Sequence, residues 1–175
     1  MAKKVITGNG GIVAESDYHV LTWTGKTKGG VACKITLTDA INKGNIDWAL
    51  AEKGEVVPAL AFEACYSNSD KQADETTPCP WNVELDGEVV SGAKEILLGL
   101  GVFAIDGTDV ALMRGGGQFT VEREWRAINA DGDKGDVKDR LVIDTERAKL
   151  TMNVLTMLTS IKAMYPALKE TTATA

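Results

Sequence analysis

The chain is short of the residues that most site chemistry needs. It has one histidine (His19), three cysteines, four prolines and 6% aromatics. A Ser-His-Asp triad, or a zinc site built on histidines, would rest wholly on His19. That residue stands in a strand-like run beside Tyr18 and close to Trp23, the setting of a packed or surface strand residue. Cys33, Cys65 and Cys79 are odd in number and lack CxxC spacing, which argues against a disulfide framework. Cys33 and Cys65 fall in apolar runs and read as small core hydrophobes. Long hydrophobic runs are also missing. The longest, 96–105, is broken by Gly99 and Gly101 and falls short of the ~20 residues that span a bilayer. No apolar run of signal-peptide length follows Met1-Ala2-Lys3-Lys4, so synthesis in the cytoplasm without membrane insertion is expected. Basic charge is outweighed: 25 acidic residues against 19 basic ones give −6. Such a balance disfavours a protein that binds phosphate backbones.

Glycine is plentiful, at 18 of 175 residues, and 44% of the chain is apolar. Many tight turns between short apolar runs point to a mainly β protein. The length suits one domain, 1–175, with a core of useful size.

Three phosphate- or cation-binding patterns fail on inspection. Gly25-Lys26-Thr27 has the end of a phosphate loop, but the first glycine of that motif falls at Val20. After Gly8-Asn9-Gly10-Gly11, Val13 occupies the third glycine position of a dinucleotide fingerprint. Asp131-Gly132-Asp133-Lys134-Gly135-Asp136 looks like a calcium loop. Counted from Asn129, however, Lys134 and Arg140 stand where glycine and glutamate are needed. No metal, cofactor or catalytic residue is expected, and the chain reads as a non-enzyme.

Period-two alternation predicts strands over 19–24 and 31–37, joined by a glycine-rich turn. Residues 45–53 fit a strand or a short helix capped by Asn45; the strand is preferred. Further strands are predicted over 56–66, with Pro58 at an edge or bulge, and over 81–85. Asp106-Gly107 marks a hairpin between 102–105 and 110–113. Gly115-Gly116-Gly117 then leads into a long run over 119–126, and two more strands follow at 141–143 and 148–155. A helix is predicted over 156–165, stopped by Pro166. Residues 67–80 read as a long mobile loop, 129–136 as a charged loop, and 169–175 as a disordered tail. The total is about ten strands and one or two short helices, a sandwich or barrel.

The run Glu122-Arg123-Glu124-Trp125-Arg126 has two readings. It is a solvated strand face with weak ion pairs, or a subunit interface, where arginine and tryptophan are enriched.

The stretch 101–126, continuing through Asn129-Ala130-Asp131-Gly132-Asp133-Lys134-Gly135 to Leu150-Thr151-Met152-Asn153, resembles the tail-tube proteins of bacteriophages. A second block, 34–66, with Asn42-Lys43-Gly44-Asn45-Ile46-Asp47-Trp48, is similar to another part of that family. The resemblance implies a β-sandwich or barrel that forms hexameric rings, stacked into the tube of a virion tail. Its partners would be copies of itself and other tail proteins, with DNA as non-specific cargo in an acidic lumen. The ring interface would involve Arg114, Gly115, Gly116, Gly117, Arg123, Glu124, Trp125 and Arg126, and the contacts between rings Asp70, Lys71, Asp131, Asp133 and Lys134. The two blocks stand in the reverse of the family's order, which implies a circular permutation with 86–94 as the joining linker. The competing reading is a monomeric β-sandwich that binds carbohydrate or a host surface through Trp23, Trp48, Trp81 and Trp125.

Overall fold

The computed structural model describes residues 3–50, 52, 54–67, 79–88, 92–110, 112–155 and 161–173. The described residues are mainly β, with ten strands and one short α-helix. Strands β1 (Lys3–Gly8), β2 (His19–Thr27), β3 (Ala32–Asn42), β4 (Ala59–Ala64) and β5 (Trp81–Asp86) come first. They are followed by β6 (Leu97–Ile105), β7 (Thr108–Asp109), β8 (Met113–Ala127) and β9 (Leu141–Val154). Helix α1 (Ile161–Met164) and β10 (Leu168–Ala173) complete the chain. Eight strands form one antiparallel sheet in the order β7-β6-β2-β3-β4-β9-β8, with β5 also beside β3. β1 and β10 make a separate two-stranded ribbon, from Lys3 opposite Ala173 to Gly8 opposite Leu168.

Alternation builds the core, because one face of each strand is apolar. Leu21 and Trp23 of β2, Cys33, Ile35 and Leu37 of β3, and Leu60 and Phe62 of β4 are all buried. Phe103 and Ile105 of β6 and Leu150, Met152 and Val154 of β9 complete the set, under Ile161, Met164 and Tyr165 from the α1 region.

β3 serves two neighbours on one flank. It pairs with β5 along Ala32 to Leu37, then with β4 along Ala40 to Asn42. Between them Asp39 takes φ 47°, a left-handed conformation that aspartate tolerates better than most residues. Alternate burial at 33, 35 and 37 gives way there to the continuous buried run 40–42.

The sheet is rolled but does not close into a barrel. Phe103 of β6 crosses the interior so far that a Cβ on Gly117 of β8 would lie 2.6 Å from its ring. Among the described residues, hydrogen bonding stops at β8 on one end and at β6–β7 on the other.

Several expectations need correction. Residues 45–50 are not a strand: Ile46 and Leu50 are exposed, and Trp48 alone packs on the core. The expected pair of strands at 141–143 and 148–155 is one strand, because 145–147 stay paired with β8 and Asp144 is only a bulge. The hairpin at Asp106-Gly107 forms, but its return strand is Thr108–Asp109, and Met113 opens β8. Gly115 to Gly117 lie within β8 rather than in a turn before it. Of the expected disordered tail, 169–173 belong to β10, held by β1, and 174–175 lie outside the described residues. The strand expected over 102–105 begins earlier, since β6 starts at Leu97 and runs through Gly99 and Gly101. Of the helix expected over 156–165, α1 is the described part, and 156–160 lie outside the described residues. The expected mobile loop also lies largely outside them, at 68–78.

Candidate assembly surface

β8 and β9 are the longest strands, and they outrun the rest of the sheet. β4 supports β9 from Lys149 to Asn153. From Ala148 to Leu141, the described neighbour of β9 is β8 alone. The outer halves of these strands therefore project as a two-stranded arm, and among the described residues β8 presents a free edge along its length.

Two irregularities shape this hairpin. At the core end, Met113 pairs with Val154 and Gly117 with Met152, so Arg114, Gly115 and Gly116 bulge opposite Asn153. Gly115 (φ 90°) and Gly116 (φ 76°) hold the left-handed backbone that this bulge needs. At the arm, Glu124 pairs with Thr145 and Trp125 with Ile143, which leaves Asp144 as the extra residue.

The two faces of the arm differ. Opposed residues of a pair share a face. One face carries Phe119–Leu150, Val121–Ala148, Arg123–Glu146, Trp125–Ile143 and Ala127–Leu141. It passes from buried core to open surface: Trp125 is 59% exposed, and Leu141 and Ile143 are exposed too. The other face is charged. The Thr145 hydroxyl donates to Glu124 at 2.7 Å. Arg126 Nε donates to both Asp144 oxygens, at 2.9 and 3.1 Å.

At the arm's root sits a carboxylate that sequence reading missed. The Glu146 side chain is only 7% exposed and is paired with Arg123. Trp81 Nε1 donates to it at 2.6 Å, and the Trp81 ring meets Phe119 at 5.5 Å. Burial pushes the carboxyl pKa up, but the bonds from Cys79, Trp81 and Arg123 outweigh this and hold it below the ordinary value. Glu146 looked like one charge among several in a polar stretch. Only the register, which turns it inward opposite Arg123, reveals it.

The loop beyond the arm is closed by Ile128 N–H on the Arg140 carbonyl, at 2.9 Å. Asp133 takes Ala130 N–H at 2.7 Å and Arg140 Nη1 at 2.9 Å. Its charge is thereby spent on Arg140. No group of three metal-ligating side chains occurs among the described residues. Asp131 and Lys134 are exposed in this loop. Asp70 and Lys71 lie outside the described residues.

Of the expected ring-interface residues, Trp125 is open on the arm, and Arg126 and Glu124 are engaged on its charged face. Arg123 is turned to Glu146. Arg114 reaches across to Glu55 at 2.7 Å. The opposite end of the sheet adds a surface that was not anticipated. Along β6, Leu97, Leu98, Leu100 and Val102 are exposed, Leu100 at 85%. β7 covers only Ala104 and Ile105 of that edge. Val83 and Leu85 of β5 are exposed as well.

His19 Nδ1 lies 2.6 Å from Asp106 Oδ2, while Asp106 Oδ1 accepts Val20 N–H at 2.8 Å, which pins the β6–β7 turn. Cys33 is buried, as read from the sequence, whereas Cys65 is half-buried and Cys79 exposed. Burial pushes all three thiols upward, and the bond to Glu146 adds to this at Cys79, so they are poorly nucleophilic thiols. Trp23 is buried, Trp48 and Trp81 pack on the core, and Trp125 stands apart on the arm. No helix among the described residues is long and apolar enough to cross a membrane. Comparison with family models, curated proteins and solved structures finds no match.

Proposed function

We propose that this chain is a structural subunit that assembles with copies of itself into closed rings, in the manner of a bacteriophage tail tube. The observation that carries this reading is the open, rolled sheet. Its two ends, the outer edges of β8 and of the Leu97 to Val102 part of β6, have no strand neighbour among the described residues, and both lie beside exposed apolar side chains. Edges of this kind are a hazard for a single copy and a seam for an assembly. Two different edges meeting copy to copy make a heterologous contact, which closes into a ring when the rotation allows. Exposed Trp125 is the type of residue on which interfaces concentrate their energy.

The hexameric number, the stacking into a virion tail and the passage of DNA come from the family resemblance. The charge of −6 fits a lumen that does not retain a polyanion. The pairing of β1 with β10 brings Lys3 opposite Ala173, the proximity that a permuted block order requires.

The test is negative-stain microscopy beside size-exclusion chromatography of the wild type and of Trp125→Ala. Rings with a central hole in the wild type, and a shift toward single copies in the variant, are the expected results. A wild type that stays single-copy at every concentration overturns the proposal.

A further inference from the structure

An isolated pair of strands is marginally stable in water, yet the arm carries the residues that the assembly reading needs. Something must hold its direction. The polar contact that links its root to another element is centred on Glu146. The carboxylate lies on β9, pairs with Arg123 on β8, and takes the Trp81 indole N–H from β5 at 2.6 Å. Trp81 also braces Phe119 on the same face. β5 in turn is fixed to β3 over six residue pairs, from Ala32–Asp86 to Leu37–Trp81. The groups facing Glu146 are Arg123 from β8 and, from the segment entering β5, Trp81 and the Cys79 thiol. Behind them, Tyr66 donates its hydroxyl to Cys79 Sγ at 3.9 Å.

We propose that Glu146 is the positioning residue of the arm: its ionised carboxylate clamps Arg123 to Trp81 and so sets the angle at which Trp125, Ile143 and Leu141 are presented. This rests on the assembly reading for its purpose, but not for its geometry. Protonation puts a hydrogen on one oxygen and removes the charge that draws Arg123, so three donors converge on this group in full only while it is ionised. Its native-state pKa is lowered. The clamp is therefore complete above the ordinary glutamate value of about 4.3, and is lost as pH falls through the depressed native value.

The experiment is amide hydrogen exchange on the full chain, corrected for intrinsic rates, across pH 3 to 7, with sedimentation run alongside (roughly the span over which carboxylates titrate). In the wild type, amides of the arm should loosen on acidification while those of β2 and β3 stay protected. In Glu146→Gln the arm should exchange about tenfold faster or more at neutral pH, with its acid step gone. Trp81→Phe keeps a ring against Phe119 but removes the donor, and should move in the same direction by less. An arm that exchanges alike in wild type and Glu146→Gln, or a Gln variant that keeps the acid step, overturns the proposal. If the clamp behaves as described but no copy number above one is found at any pH, the clamp stands and the assembly reading falls.

Discussion

Gly117 of β8 lies against Phe103 of β6, from the other end of the sheet. A methyl there would sit 2.4 Å from the Thr151 carbonyl oxygen and 2.6 Å from the Phe103 ring. Backbone cannot yield cheaply, so Gly117→Ala should destabilise the fold by roughly 1–3 kcal/mol. Urea denaturation, with a midpoint shift at constant slope, would measure it. The glycine triplet is visible in the sequence as turn-forming material. Its actual roles, two left-handed positions in a bulge and one close approach, depend on partners in other strands, Asn153 and Thr151 of β9 and Phe103 of β6. Glu146 was hidden for the same reason. A residue's neighbours along the chain give its polarity, but only the register says which way it points. Trp125 was legible, because a tryptophan among alternating charges is conspicuous wherever it stands.

The strands of the core were the most legible elements. β2, β4 and the first part of β3 alternate in burial, and a period of two suffices to find them. The arm was less so. Asp144-Thr145-Glu146-Arg147 resembles a break between two strands, yet a ribbon solvated on one face carries such residues without loss. β10 was misread as a tail because Lys169-Glu170-Thr171-Thr172 is polar; its strand character comes from β1, including the Lys4–Glu170 ion pair at 3.0 Å. The short α1 is fastened by a buried amide. Asn42 Nδ2 donates to the Met164 carbonyl at 2.8 Å, and Asn42 Oδ1 accepts Gly44 N–H at 2.9 Å. Asn42 is 1% exposed, and Asn42→Ala leaves the Met164 carbonyl without its donor in that buried site. It should cost about 1–3 kcal/mol, read as a lowered midpoint in thermal unfolding.

For the molecule as a whole, composition gave the β class, and the structure bears it out in a rolled antiparallel sheet. What composition could not give is where that sheet stops. The ends are set by which strands lack a neighbour, a property of the complete topology rather than of any segment. The topology also separates partners widely along the chain: β4 pairs with β9, and β1 with β10. Non-local pairing of this kind folds slowly, on the order of milliseconds to seconds. Stopped-flow refolding followed by tryptophan fluorescence should show phases in that range.

The ribbon of β1 and β10 carries this furthest. Translation proceeds at roughly 5–20 residues per second, and β10 lies some 160 positions after β1. On the ribosome, Val5 and Ile6 wait many seconds for the segment that will cover their backbone. A growing polypeptide with so long a vigil is exposed to stray pairing, and yield should rise when cells are cooled or supplied with extra chaperone.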